Sequence, residues 1–89
     1  MTTQDMPPMP DWTEASSWRG LRLQVRMRVA RAFGILQRTG KLNRSDIQRI
    51  GEVTRQTAAA DLRIMQERTG ALVYDKSARC YRLKEGIAA

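Results

Sequence analysis

The sequence predicts a small α+β domain that is mostly helical, with three helices followed by a β-hairpin. Apolar residues recur at helical spacings of three and four through most of residues 20–70. The pattern then changes to short runs containing Val, Tyr and Leu over residues 72–83, which is typical of two strands. At 89 residues, the chain is long enough for one domain with a small core.

Short segments are predicted on both sides of this domain. Residues 1–10 contain three prolines and lack an apolar period, so they are predicted to form a disordered arm. Residues 11–19 are predicted to form a short helix that contains Trp12 and Trp18, and residues 85–89 a tail. The two tryptophans either pack against the domain or a dimer mate, or they belong to a dimerisation arm, and the sequence favours neither interpretation.

The first helix of the domain is predicted to begin after Gly20 and to be basic. Its apolar stripe consists of Leu21, Val25, Val29, Ala32, Phe33 and Leu36. Its other faces carry Arg22, Arg26, Arg28 and Arg31. No acid is spaced to pair with these arginines along the helix, which favours a face that follows phosphates over one that is only solvated. Gly40 is predicted to end the helix in a left-handed conformation.

The second helix is predicted to end at or near Gly51. Two N-terminal caps compete for its start: Asn43, with Asp46 in the first turn, and Ser45 paired with Gln48. The sequence does not distinguish between these two caps.

The third helix is predicted over residues 54–68, with Thr54 as its N-cap and Gly70 just beyond its end. Its inward face consists of Ala58, Leu62 and Met65. Its first turn presents Arg55, Gln56 and Thr57.

The hairpin is predicted to have a basic loop, D-K-S-A-R, at residues 75–79. Cys80, the only cysteine, is predicted to be a small apolar residue of the second strand. Asp61, on the third helix, is predicted to pair with a basic residue such as Arg82 or Arg49.

Three helices and a hairpin over residues 20–84 predict a winged helix-turn-helix domain, in which the third helix enters the major groove of DNA and the hairpin, or wing, contacts the backbone or minor groove. The charge agrees with this prediction. The net charge is +7, and residues 19–44 contain eight basic residues and no acid. Thirteen of the sixteen basic residues are arginines, which suit phosphate and guanine. Double-stranded DNA is therefore the predicted partner.

Individual contacts follow from these positions. Base contacts are predicted for Arg55, Gln56, Thr57, Ala59 and Arg63. Contacts with the DNA backbone are predicted for Thr54, Arg22, Arg26, Lys41, Arg44, Lys76 and Arg79. Arginine suits guanine, glutamine suits adenine, and the small side chains suit the methyl group of thymine.

Several other classes of function are disfavoured by composition. With one Cys and no His, the chain offers no zinc site and no Cys–His nucleophile pair, and its nine acids form no obvious catalytic pair. No catalytic residue, metal site or cofactor is therefore predicted. No apolar run approaches the ~20 residues that span a bilayer, and the N-terminus lacks the pattern of a signal peptide. A cytoplasmic protein without a membrane partner is expected.

Three motifs resemble a known family. G-K-L-N-R-S-D-I, V-T-R-Q-T-A-A-A-D-L and L-V-Y-D-K-S-A-R-C-Y-R-L together resemble the N-terminal winged helix-turn-helix of bacterial WYL-domain transcriptional regulators, and more distantly DeoR-type repressors, over about residues 21–83. By this resemblance, the recognition helix starts at Thr54, Arg55, Gln56 and Thr57. Asp61 and Leu62 match the acidic–leucine pair of that helix. The wing is matched by Tyr74, Asp75 and Tyr81.

The sequence departs from the family pattern at three points. Ala60 stands where a basic residue is frequent, and Glu52 follows a turn glycine that sits one place early. No effector domain follows the wing, so ligand sensing by a WYL domain is not expected, and no small-molecule effector is evident.

The expected function is that of a bacterial or phage transcriptional regulator, a repressor or autoregulator, that binds double-stranded DNA sequence-specifically as a homodimer. One alternative is an architectural, recombination or replication accessory protein that binds DNA with little sequence preference. Another is a winged-helix adaptor that binds proteins, with Trp12 and Trp18 as anchors.

Overall fold

A computed structural model describes residues 9–10, 13 and 18–85 of the chain. Its helices and strands are α1 (Leu23–Thr39), α2 (Arg44–Gly51), α3 (Arg55–Thr69), β1 (Leu72–Asp75) and β2 (Cys80–Leu83). The predicted order of three helices and a hairpin is confirmed, and the described chain is a mostly helical α+β structure. Within it, no helix combines the length and the apolar character needed to cross a membrane.

Most of the predicted N-terminal arm and short helix lies outside the described residues, as do Trp12 and most of the predicted tail. Trp18 is described and is 2% exposed. Its ring packs edge-on against Phe33, with centroids 5.7 Å apart, and Met9 packs against the same core. Of the two interpretations of the tryptophans, packing against the domain is therefore confirmed for Trp18.

The core lies where the three helices meet the hairpin. The apolar stripe predicted for α1 is buried from Val29 to Leu36, while Leu21 and Val25 are partly buried against it. The other buried apolar residues of the cluster are Leu42, Ile47, Ala58, Leu62, Met65 and Leu72. The inward face predicted for α3 is confirmed. Burial of each large aliphatic or aromatic side chain stabilises the fold by roughly 1.5–3 kcal/mol.

The hairpin is hydrogen-bonded to one extended residue in the connection between α1 and α2. β1 and β2 are antiparallel, with Leu72 opposite Leu83 and Tyr74 opposite Tyr81. Leu42, in the connection between α1 and α2, pairs with the other edge of β2. Its N–H donates to the carbonyl of Tyr81 at 2.9 Å, and the N–H of Tyr81 donates back at 2.7 Å. β2 is therefore the central strand of this small sheet.

The structure selects one of the two caps predicted for α2. The Oδ1 atom of Asn43 accepts the N–H of Asp46 at 3.0 Å, and the carboxylate of Asp46 accepts the N–H of Asn43 at 3.0 Å. This reciprocal pair satisfies two backbone donors at the start of the helix. Ser45 donates its hydroxyl to Asn43 and so lies within α2 as a supporting residue, not at its N-cap.

The three helices end in two different ways. Gly40 and Gly70 adopt the predicted left-handed conformation, with φ of 80° and 61°. In α2 the left-handed residue is Glu52, with φ of 51°, and Gly51 lies inside the helix. Gly51 serves a different purpose, because a Cβ atom there would lie 2.4 Å from Cδ of Arg28. The side chain of Arg28 therefore crosses α2 where only glycine leaves space.

The hairpin loop is one residue shorter than predicted, because Asp75 belongs to β1. The Oδ1 atom of Asp75 accepts the backbone N–H groups of Ser77 and Ala78 at 3.0 and 3.1 Å, which fixes the turn. Arg79 completes the loop with φ of 54°. Cys80 is 3% exposed, which confirms its predicted role as a small buried residue.

Candidate nucleic-acid interface

One face of α3 forms a continuous stripe that lines a concave surface, with the buried Leu62 at its inner edge. It consists of Arg55, Ala59, Leu62, Arg63, Gln66 and Glu67. Their spacings of four, three, one, three and one place them on the same side of a helix. The start of this helix is fixed by Thr54, whose Oγ1 atom accepts the N–H of Thr57 at 3.1 Å. The predicted N-cap is therefore confirmed, and it determines how the first turn presents Arg55.

The stripe is one wall of a groove of about 780 Å³. The N-terminal end of α2 and the hairpin form the other walls, through Asn43, Arg44, Ser45, Gln48, Tyr74, Arg79 and Tyr81. Among the described residues that line the groove, four are arginines and one, Glu67, is acidic. Arg44, Arg55, Arg63 and Arg79 are all exposed. A concave surface with this excess of positive charge attracts polyanions.

The structure brings together part of the predicted site. The predicted contact residues that line the groove are Arg44, Arg55, Ala59, Arg63 and Arg79. Those that do not line it are Arg22, Arg26, Lys41, Thr54, Gln56, Thr57 and Lys76. Gln56 and Thr57 are next to Arg55 in sequence, but each residue of a helix turns the side chain by about 100°. The hydroxyl of Thr57 also accepts a hydrogen bond from Thr54 at 3.1 Å.

Several groove residues were not predicted as contacts. Gln66 and Glu67 continue the series that starts at Arg55 and passes through Ala59 and Arg63, so helical spacing alone would have found them. Gln48 and the two tyrosines of the hairpin carry no such signal, because they come from separate elements. Their place in the groove depends on how the elements pack.

The position of α3 is set by a buried ion pair with α1. The Nε atom of Arg28 donates to Oδ2 of Asp61 at 2.6 Å, and an Nη atom donates to Oδ1 at 3.3 Å. The side chain of Asp61 is 2% exposed and that of Arg28 is 15% exposed. Removing one member of such a pair leaves an uncompensated buried charge, which costs roughly 3–5 kcal/mol.

The predicted partners of Asp61 were therefore wrong. Arg82 instead donates to Asp75 within the hairpin, at 2.9 Å. Arg49 donates to Asp46 within α2, at 2.6 Å. Arg49 pairs within its own helix and Arg82 pairs with the neighbouring strand, whereas the buried Asp61 meets α1.

The arginines of α1 do not form one continuous basic face. Arg31 is exposed, as is Arg22 just before the helix, but Arg28 is paired with Asp61. Arg26 is half-buried, and within the described part of the chain its buried Nε atom has no hydrogen-bond partner. The basic groove beside α3 includes no α1 residue.

At the base of the hairpin loop, the Arg82 guanidinium and the loop amides hold the pKa of Asp75 below its usual value of 3.8. The same hydrogen bond to Asp75 raises the pKa of Arg82. This pair therefore stays ionised at neutral pH and links the two strands next to the loop.

In comparisons with known proteins, no family model and no curated protein matches this chain. Among the described residues, no group of three or more His, Cys, Asp or Glu side chains is placed to hold a metal ion. Function must therefore be inferred from the charge and shape of the groove.

Proposed function

We propose that this chain is a winged helix-turn-helix protein that binds double-stranded DNA sequence-specifically and regulates transcription as a repressor or autoregulator. In this proposal α3 is the recognition helix and enters the major groove, and the hairpin is the wing. The observation that supports it most is the set of four exposed arginines around one groove between α3, α2 and the hairpin. These are the elements that contact DNA in winged helix-turn-helix proteins.

The dimensions of α3 suit this role. Its 15 residues correspond to about 22 Å of helix, and the major groove, about 12 Å wide, admits one helix. Arg55 lies at the exposed N-terminal end, where a bidentate contact with guanine is geometrically favoured. Ala59, one turn later, leaves space for a thymine methyl group. Arg63 then reaches either a second base or a phosphate.

A homodimer bound to an inverted repeat completes the proposal. One helix of this length contacts few base pairs, which is insufficient for a specific site in a genome. Two copies on half-sites one helical turn apart, about 34 Å, double the number of contacts. The partner in this assembly is a second copy of the chain.

Duplex binding measured across a salt series tests the electrostatic part of the proposal. Each phosphate neutralised contributes about −0.9 to the slope of log K against log salt. If three or more groove arginines contact phosphates, the slope is expected to be about −3 or steeper per protomer. Failure to bind any duplex at low salt would refute the proposal.

Selection of bound fragments from random DNA tests sequence specificity. Sequencing the bound pool is expected to give one enriched motif with two inverted half-sites, and their spacing reports the dimer geometry. The same selection with single-stranded DNA serves as the control and is expected to enrich no motif.

A second candidate is an architectural DNA-binding protein with little sequence preference. It is favoured by the absence of Gln56 and Thr57 from the groove lining, because two of the four polar α3 residues that remain there, Arg55 and Arg63, are arginines, which also bind phosphates. A selection that enriches no motif, together with strong binding to every duplex, would support this candidate over the regulator.

A further inference from the structure

Tyr74 is an unusual residue of the groove, because it is large, partly apolar and 49% exposed. A tyrosine on a small sheet usually buries its ring and leaves only the hydroxyl in water. Tyr74 lies on the same face of the hairpin as Leu72, Tyr81 and Leu83, of which Leu72 is buried and the other two are half-buried. The half-exposed ring is therefore on the side that faces α3.

The ring of Tyr74 is supported by its cross-strand partner. Tyr74 and Tyr81 are directly opposite in the antiparallel register, and their rings meet edge-to-face with centroids 5.0 Å apart. Tyr81 is held in turn by its two backbone hydrogen bonds to Leu42. A tyrosine held in this way is pre-organised, and it loses little conformational entropy when it binds a partner.

The surroundings of Tyr74 fit an anion. Within the described chain, none of the four groove arginines, Arg44, Arg55, Arg63 and Arg79, forms a salt bridge with a carboxylate. Glu67 is the one acidic residue among those that line the groove, one turn beyond Arg63, so the groove keeps an excess of positive charge. A phenol in that space offers one neutral O–H donor and an apolar ring.

We propose that Tyr74 is a DNA backbone contact: its hydroxyl donates a hydrogen bond to a phosphate, and its ring packs against the adjoining deoxyribose. This inference rests on the proposed binding of duplex DNA and assigns a residue in that site. The phosphate lies between α3 and the hairpin, where the arginines supply the charge. Tyr74 fixes where the phosphate lies, because its ring is held against Tyr81 and its donor is uncharged.

Tyr74→Phe is the direct test, since it removes the hydroxyl but keeps the ring against Tyr81. Loss of one hydrogen bond to a charged phosphate is expected to weaken binding roughly ten- to a hundredfold. The loss is expected to be equal for preferred and random duplexes, because phosphates carry no sequence information. The salt slope is expected to stay unchanged, because a phenol releases no counterion.

Two further variants serve as controls. Arg79→Ala removes a charge from the same groove and is expected to make the slope shallower by about 1. Val73→Ala changes the neighbouring residue, which is 46% exposed but lies on the other face of the hairpin, and is expected to bind as the unmodified protein does. Circular dichroism of each variant checks that the hairpin remains folded.

A duplex with a neutral methylphosphonate at one linkage identifies the phosphate. When the contacted linkage is neutral, the unmodified protein is expected to lose affinity. On that duplex, Tyr74→Phe is expected to bind as tightly as the unmodified protein does. Equal affinity of Tyr74→Phe and the unmodified protein on natural DNA would overturn the inference. So would a loss confined to particular sequences, which would indicate a base contact. If the unmodified protein binds no duplex, the proposed function itself fails.

Discussion

At the scale of single residues, Arg55 is the side chain on which sequence preference is expected to depend most. It is the first residue of α3, it is exposed, and it begins the stripe that lines the groove. Gln56, its neighbour, was also predicted to contact a base but does not line the groove. The pair therefore offers a direct comparison between a groove residue and a first-turn residue outside it.

Arg55→Ala is expected to cost about 1–3 kcal/mol of binding free energy at the preferred site and to relax the preference at one base pair. Gln56→Ala is expected to cost less, because its side chain lies about 100° around the helix. Equilibrium binding to the selected site and to single-base variants of it measures both effects. If Arg55→Ala weakened binding to all sequences equally, Arg55 would be a phosphate contact.

Arg28 illustrates a residue whose role is structural although its charge suggested DNA. Because it pairs with the buried carboxylate of Asp61, Arg28→Ala is expected to lower the free energy of unfolding by roughly 3–5 kcal/mol. Arg31→Ala, on an exposed position of the same helix, is the matched control and is expected to change stability by about 0.5 kcal/mol or less. Urea unfolding measures both. Unchanged stability with a shallower salt slope would instead make Arg28 a phosphate contact.

At the scale of elements, the C-terminal end of α2 constrains which residues can occupy two neighbouring positions. Glu52 adopts a left-handed conformation that suits glycine, whereas the glycine itself, Gly51, makes space for Arg28. Two consecutive positions at the end of the helix are therefore constrained: residue 51 by the space that Arg28 occupies, and residue 52 by its left-handed backbone.

Glu52→Gly is expected to stabilise the chain by about 0.5–1 kcal/mol, because glycine has no steric penalty at positive φ. Gly51→Ala is expected to destabilise it by roughly 1–3 kcal/mol, since the new Cβ atom would meet a side chain that Asp61 holds in place. Thermal unfolding of the two variants should show shifts of opposite sign. A stabilising Gly51→Ala would contradict the close approach of Arg28.

The hairpin is expected to respond to acid through Asp75. Its pKa is lower in the folded chain than in the unfolded chain, so the unfolded chain binds more protons as the pH falls below about 4. The stabilisation from Asp75 is therefore complete above pH 3.8 and is lost as the pH falls through the lowered pKa. Unfolding measured between pH 2 and pH 6 is expected to show a shallower pH dependence for Asp75→Asn. Parallel curves for the two proteins would contradict this assignment.

At the scale of the whole molecule, the net charge of +7 is less informative than its distribution. Residues 19–44 carry the densest positive charge in the sequence, yet only Arg44 of that set lines the groove. The functional surface proposed here draws its arginines from α2, α3 and the hairpin together.

This distribution predicts which charges govern the salt dependence. Arg44→Ala is expected to make the slope of log K against log salt shallower by about 1, because that arginine lines the groove. Arg31→Ala removes an equal charge from α1 outside the groove and is expected to leave the slope nearly unchanged. Binding titrations at four or five salt concentrations are sufficient. Equal effects of the two variants on the slope would indicate that the DNA contacts α1 as well as the groove.

The features that sequence alone determined are those set by a few consecutive residues. The apolar period identified the buried face of α1 and the inward residues of α3, and local hydrogen bonding identified Thr54 as a cap and Gly40 and Gly70 as helix ends. These depend on backbone geometry within one or two helical turns. The element order and the mostly helical α+β class followed from the same local signals.

The features that only the tertiary structure decided are those that join distant residues. Arg28 and Asp61 are 33 positions apart, and nothing in either local pattern selects one for the other. Tyr74 reaches the groove because the hairpin bonds to Leu42 and folds back towards α3. Such contacts depend on the angles at which elements pack, which are set by the whole core. The sequence therefore determined that α3 carries Arg55 and Arg63, while packing decided which other residues share their groove.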